Sequence, residues 1–119
     1  MSKKTREIRL EAEERWPTLY QFLGAYCHQD WPEDYGTPEA AVDAAIADYL
    51  LPMRQQVLQE WRDWNSTRGA EFDPRSAVND GLGVYVYFKE PSDARQFMNL
   101  VYDKLIVSVR NETSKDWKP

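Results

Sequence analysis

Residues 37–64, TPEAAVDAAIADYLLPMRQQVLQEWRDW, decide the fold class of this 119-residue chain. Thr37 followed by Pro38 favours a helix start, because threonine caps free N–H groups and proline needs no hydrogen bond in the first turn. Apolar side chains then recur at helical spacing in two runs: Val42, Ala45, Ile46, Tyr49 and Leu50, and, after Pro52, Met53, Val57, Leu58, Trp61 and Trp64. The stretch therefore predicts two helices that each bury one face.

The flanking sequence extends this helical pattern. A charged run over residues 5–15 predicts a solvated helix that ends at Pro17, and an aromatic run over 17–28 predicts a mostly buried one. Residues 31–36 are expected to form a loop because they contain Pro and Gly, and a further helix is expected from Pro91. We therefore expect a single, mainly α domain over residues 1–119 with four to five helices and loosely ordered ends at 1–5 and 111–119.

One segment departs from the helical pattern. Residues 84–88, VYVYF, are β-branched and aromatic and predict a short strand. A lone strand cannot satisfy its own backbone N–H and C=O groups, so it needs a partner. Residues 105–110 are the internal candidate, and the alternatives are a strand from a second subunit or a merely extended segment. An α+β arrangement therefore stays open.

The negative charge is concentrated in one part of the sequence. The whole chain has a formal charge of −5, and residues 16–53 contain no Lys or Arg. Six carboxylates lie in that stretch: Asp30, Glu33, Asp34, Glu39, Asp43 and Asp48. Such a patch, if it folds onto one face, attracts a cationic partner and accelerates encounter. The scattered basic residues argue against direct binding of nucleic acid.

Composition also bounds the setting. Cys27 is the only cysteine, so an intramolecular disulfide is excluded and a reducing compartment fits. The N-terminal residues lack the apolar core of a secretory signal, and no stretch reaches membrane-spanning length. We therefore expect a cytoplasmic protein that does not contact a membrane.

Two small clusters contain residue types that serve in catalysis or metal binding. Cys27, His28 and Asp30 contain the parts of a nucleophilic triad, but neighbouring residues on a helix do not face each other. Asp30, Glu33 and Asp34 could bind a hard cation, yet the loop lacks the calcium-binding pattern. We therefore predict no catalytic residue, no metal site and no cofactor, and a binding protein rather than an enzyme.

The sequence resembles one known family over about residues 16–50. Residues 16–31 read WPTLYQFLGAYCHQDW, an aromatic run ending in Tyr-x-His-Gln-Asp-Trp, and are followed by acids, Tyr35-Gly36 and an Ala-rich helix. This order is similar to immunity proteins of bacterial contact-dependent growth inhibition systems. The resemblance implies a small cytosolic protein that binds the toxic C-terminal domain of a cognate effector. Such toxins are commonly nucleases with basic surfaces.

The resemblance divides the residues into two groups. The shared signature, expected to be structural because it recurs against different toxins, comprises Tyr26, His28, Gln29, Asp30 and Trp31. The hypothesised toxin interface, which combines carboxylates with aromatic anchors, comprises Trp31, Glu33, Asp34, Tyr35, Glu39 and Asp43.

Two alternatives to toxin binding stay open. One is a small metal-dependent enzyme that uses Asp30, Glu33 and Asp34. The other is an acidic oligomeric scaffold in which residues 84–88 pair across a two-fold axis. The toxin's identity and the oligomeric state stay open as well.

Overall fold

The computed structural model describes residues 2–119, and the regular structure in that range is helical. The α-helices are α1 (Lys3–Arg15), α2 (Pro17–Tyr26), α3 (Trp31–Asp34), α4 (Pro38–Asp48), α5 (Leu51–Ser66) and α6 (Pro91–Glu112). A 3₁₀ turn at Arg68–Ala70 and a π-helical turn at Ala77–Gly81 lie between α5 and α6. The mainly α prediction is confirmed. The expected count of four to five helices is wrong, because residues 31–34 form a helical turn rather than a loop.

Proline and side-chain caps set the helix starts. Proline occupies the first turn of α2, α3, α4, α5 and α6. The Thr37 hydroxyl accepts a hydrogen bond from the Ala40 N–H, as the sequence predicts. At α6, Glu90 and Asp93 exchange side-chain and backbone hydrogen bonds in a capping box. These local signals explain why helix starts can be predicted better here than tertiary contacts.

The core lies between α2, α4, α5 and α6, which contact one another in the pairs α2–α5, α2–α4, α4–α6 and α5–α6. Its fully buried side chains include Leu19, Phe22, Leu23, Val42, Val57, Leu58, Val101 and Leu105. Two buried indoles also find hydrogen-bond acceptors: Trp16 donates to Asp63 Oδ2 at 2.7 Å and Trp61 to the Met98 carbonyl at 3.0 Å. The tryptophans thus combine apolar burial with fixed orientation.

The strand predicted at residues 84–88 does not form; the structure shows no strand within residues 2–119. Other groups satisfy the backbone of this segment. The Asn79 side-chain amide donates to the carbonyls of Val84 and Val86 at 2.8 and 2.9 Å. The Tyr85 N–H donates to the Cys27 carbonyl at 2.8 Å. No partner strand is therefore needed for these groups.

The expected partner, residues 105–110, lies inside α6. Leu105, Ile106 and Val109 are buried, at the spacing of one helical face. The β-branched content of this stretch favours a strand, but packing against α4 and α5 outweighs that local preference. The α+β alternative is therefore wrong for residues 2–119.

The start of α2 depends on a carboxylate from another helix. Trp16, the residue before α2, provides no side-chain cap. Instead, Glu60 of α5 accepts hydrogen bonds from the N–H groups of Thr18 and Leu19 at 2.8 and 3.0 Å through one oxygen. The sequence pattern places Glu60 on the polar face of α5, whereas its side chain is buried. A buried anion at a helix N-terminus satisfies free N–H groups and complements the helix dipole.

We expect Glu60→Ala to lower the free energy of unfolding by about 2 kcal/mol, because one buried and one partly buried N–H group lose a charged acceptor. Glu60→Gln keeps one acceptor oxygen and should cost about half as much. Urea titration followed by circular dichroism measures both changes. Gln59→Ala, at an exposed neighbouring position, is the control and should change stability by less than about 0.5 kcal/mol. Equal stability of the Glu60→Ala and control variants would contradict this role.

Cys27 is 1% exposed, directly after α2. Burial raises the pKa of its thiol to about 12. We therefore expect native Cys27 to react with a disulfide reagent at pH 8 at least about a hundredfold more slowly than in urea, because the thiolate is the reactive form. A Cys27→Ser, Gln29→Cys chain, with its thiol at an exposed position, is the control and should react rapidly when folded. Rapid reaction of the native wild-type thiol would refute the prediction.

Candidate functional site

Four exposed carboxylates lie on α3 and α4, two helices that contact each other. Glu33 and Asp34 lie on α3, and Glu39 and Asp43 lie four residues apart, and hence on one face, of α4. Gly36 makes the turn between the helices with a φ of 84°, a conformation that favours glycine. We call these four residues the α3–α4 acidic surface.

The carboxylates of residues 16–53 differ in which basic or imidazole groups lie beside them. Lys104 of α6 donates to Asp43 at 2.9 Å, and His28 Nε2 lies 3.8 Å from Asp34. Within residues 2–119, Glu33 and Glu39 have no ion pair. These two glutamates are the members of the acidic surface with charge fully available to a partner.

Trp31 is bound within the chain as well as lying next to the acidic surface. Its indole N–H donates to the Tyr85 carbonyl at 2.7 Å. The side chain is half-buried and packs against the core. Trp31 therefore fastens α3 to the extended segment at residues 84–88.

Tyr35 belongs to an aromatic cluster at the end of α2. Its ring centroid lies 6.0 Å from that of Tyr26, which in turn lies 6.5 Å from Tyr49. Tyr49 meets Phe22 edge to face at 5.1 Å. The Tyr26 hydroxyl donates to Asp48 at 2.6 Å, and this bond, with burial, raises the pKa of Tyr26 to about 12. This cluster and hydrogen bond fix the end of α2 against α4.

The other signature residues make local contacts or face solvent. His28 Nδ1 accepts a hydrogen bond from the Asp30 N–H at 3.0 Å, which stabilises the turn before α3. The side chains of Gln29 and Asp30 are exposed. Across residues 2–119, no three His, Cys, Asp or Glu side chains converge as a metal site. The buried thiol of Cys27 makes no activated pair with His28 in this arrangement.

An open cavity of about 790 Å³ lies between α1, α2 and residues 79–87. Tyr85 and Tyr87 line it and are 63% and 86% exposed. The alternation in VYVYF does carry information, because it places Val84 and Phe88 inward and these tyrosines outward. From the sequence alone the pattern predicts only a strand, and the exposed aromatic surface becomes apparent in the structure.

The ion pair between Lys104 and Asp43 could not be predicted from the sequence, because the two residues are 61 positions apart. Asp103, beside Lys104, is exposed and lines a second groove together with Asp43. Helical spacing predicts that Asp103 lies off the buried face of α6. Helical spacing cannot predict that the face of α6 carrying Asp103 lies beside α4.

Within residues 2–119, no helix combines the length and apolar character that crossing a membrane requires. No curated protein and no solved structure matches the chain. A family model described as CdiI immunity protein matches residues 15–105. That range covers most of the chain and contains α2 to α5, the acidic surface, the exposed tyrosines and most of α6. The chain therefore belongs to the CdiI immunity protein family.

Proposed function

We propose that this protein binds the toxic C-terminal domain of a cognate contact-dependent growth inhibition effector in the cytoplasm and blocks it without catalysing a reaction. The observation that carries the proposal is the exposed α3–α4 acidic surface in a member of the CdiI immunity protein family. A carboxylate surface fits a partner rich in Lys and Arg. We propose a nuclease toxin, because an enzyme that binds phosphates needs a basic surface.

Binding would combine long-range attraction with a desolvated contact. Glu33 and Glu39, which have no ion pair within residues 2–119, steer a basic toxin surface toward α3 and α4. The half-buried rings of Trp31 and Tyr35 border this surface and need little further ordering when a partner covers them. An interface of ordinary size, about 1,600 Å² in total, could cover this face of the molecule.

The alternatives from the sequence receive less support. Asp30, Glu33 and Asp34 do not converge with one another or with His28 as a ligand set in the described residues. The scaffold alternative depends on residues 84–88 pairing as a strand, whereas Asn79 already binds two of their carbonyls. Neither alternative has a specific observation in its favour.

We expect a Glu33→Lys, Glu39→Lys double variant to bind the toxin domain with an association rate about tenfold lower at low salt, because steering becomes repulsion. The salt dependence of that rate should also flatten or reverse. Stopped-flow mixing with the purified toxin domain of the cognate effector measures both.

A Glu7→Lys, Glu14→Lys variant provides the matched control. It makes the same change in net charge at exposed positions on α1, which packs against α2 and the π-helical turn. The control should retain most of the wild-type rate. Equal rates for the two double variants would sink the acidic-surface hypothesis, and no binding by the wild type would sink the proposed function.

A further inference from the structure

A second, shallow groove of about 420 Å³ lies between α4 and α6. We call it the α4–α6 groove and define it by Asp43, Ile46, Asp103, Lys104 and Val107. Asp43 and Ile46 are three residues apart on α4, and Asp103 and Val107 are four apart on α6, so each pair shares one helix face. The groove therefore combines apolar and acidic side chains from two helices.

Val107 is an exposed apolar residue of this groove. It is 57% exposed, although its neighbours Ile106 and Val109 are buried in the core. A single exposed valine is ordinary on a protein surface. It lines the groove together with Ile46 and the carboxylates Asp43 and Asp103, and this surrounding could cover the aliphatic part of a side chain from a partner.

The charges of the groove define what kind of side chain fits. Two carboxylates, those of Asp43 and Asp103, and one ammonium group, that of Lys104, line the groove. Lys104 donates to Asp43 at 2.9 Å, and Asp103 has no ion pair within residues 2–119. The groove thus has an excess negative charge, and Asp43 continues it onto the α3–α4 acidic surface. Lysine and arginine have an aliphatic stem that packs on apolar surface and a cationic head.

We infer that the α4–α6 groove receives a lysine or arginine side chain of the toxin domain. The stem of that side chain packs on Ile46 and Val107, and its head pairs with Asp103 and Asp43 in place of Lys104. Lys104 therefore neutralises Asp43 in the free protein and opposes binding of the toxin. This inference rests on the proposed function and adds a contact on α6, outside the stretch of sequence that carries the charge excess.

Removing the Lys104 ammonium group should increase the affinity for the toxin domain, a result that a damaged fold would not produce. Lys104→Met keeps an apolar stem and removes the competing ammonium group, so the toxin domain should bind about fivefold more tightly. Asp103→Asn should weaken binding about fivefold and reduce its salt dependence. Val107→Ala should also weaken binding about fivefold through lost apolar contact, although alanine favours the helix.

Biolayer interferometry with the full chain and the inactivated toxin domain of the cognate effector measures these affinities. Lys115→Met and Asp116→Asn, at exposed positions after α6, are the matched controls and should leave affinity unchanged. Circular dichroism and urea unfolding establish that each variant is folded.

The outcomes separate the two proposals. Wild-type binding together with the three expected shifts supports the groove. Wild-type binding with groove variants that match their controls overturns the groove inference and leaves the proposed function standing. Failure of the wild type to bind or neutralise the toxin domain overturns both.

Discussion

The Glu60 carboxylate at the start of α2 is the interaction on which the rest of the arrangement depends. Through its bonds to the Thr18 and Leu19 N–H groups, it joins α5 to α2 inside the core. Tyr26, the last residue of α2, then donates to Asp48, and the carbonyl of Cys27, directly after the helix, accepts from the Tyr85 N–H. One buried charge thus fixes the helix that organises both the turn before α3 and the extended segment.

The sequence predicts what depends on near neighbours and fails where distant groups decide. Thr37 and Pro38 specify the start of α4 because a cap and its N–H are three residues apart. The segment at residues 84–88 has the composition of a strand, yet its carbonyl partners come from Asn79 and Trp31. The composition of residues 84–88 does not encode those bonds. The π-helical turn places Asn79, and α3 places Trp31, which is 54 residues from Tyr85.

The candidate site follows the same division. The concentration of acids in residues 16–53 can be counted from the sequence, and helical spacing puts Glu39 and Asp43 on one face. The sequence cannot reveal which acids already have a partner within the fold. Lys104 of α6 pairs with Asp43, and the Tyr26 hydroxyl donates to Asp48. The number of acids in residues 16–53 therefore exceeds the number of carboxylates that have no partner within residues 2–119.

Glu33 and Glu39 are exposed and make no ion pair with any residue that the structure describes. Side chains that support no buried contact can be replaced at little cost to folding. The scaffold contacts of Glu60 and Asn79 lie elsewhere, and the Trp31 indole, although it belongs to α3, donates to the Tyr85 carbonyl and not to either glutamate. The exposed surface of α3 and α4 can therefore vary between related chains while the helical frame stays constant.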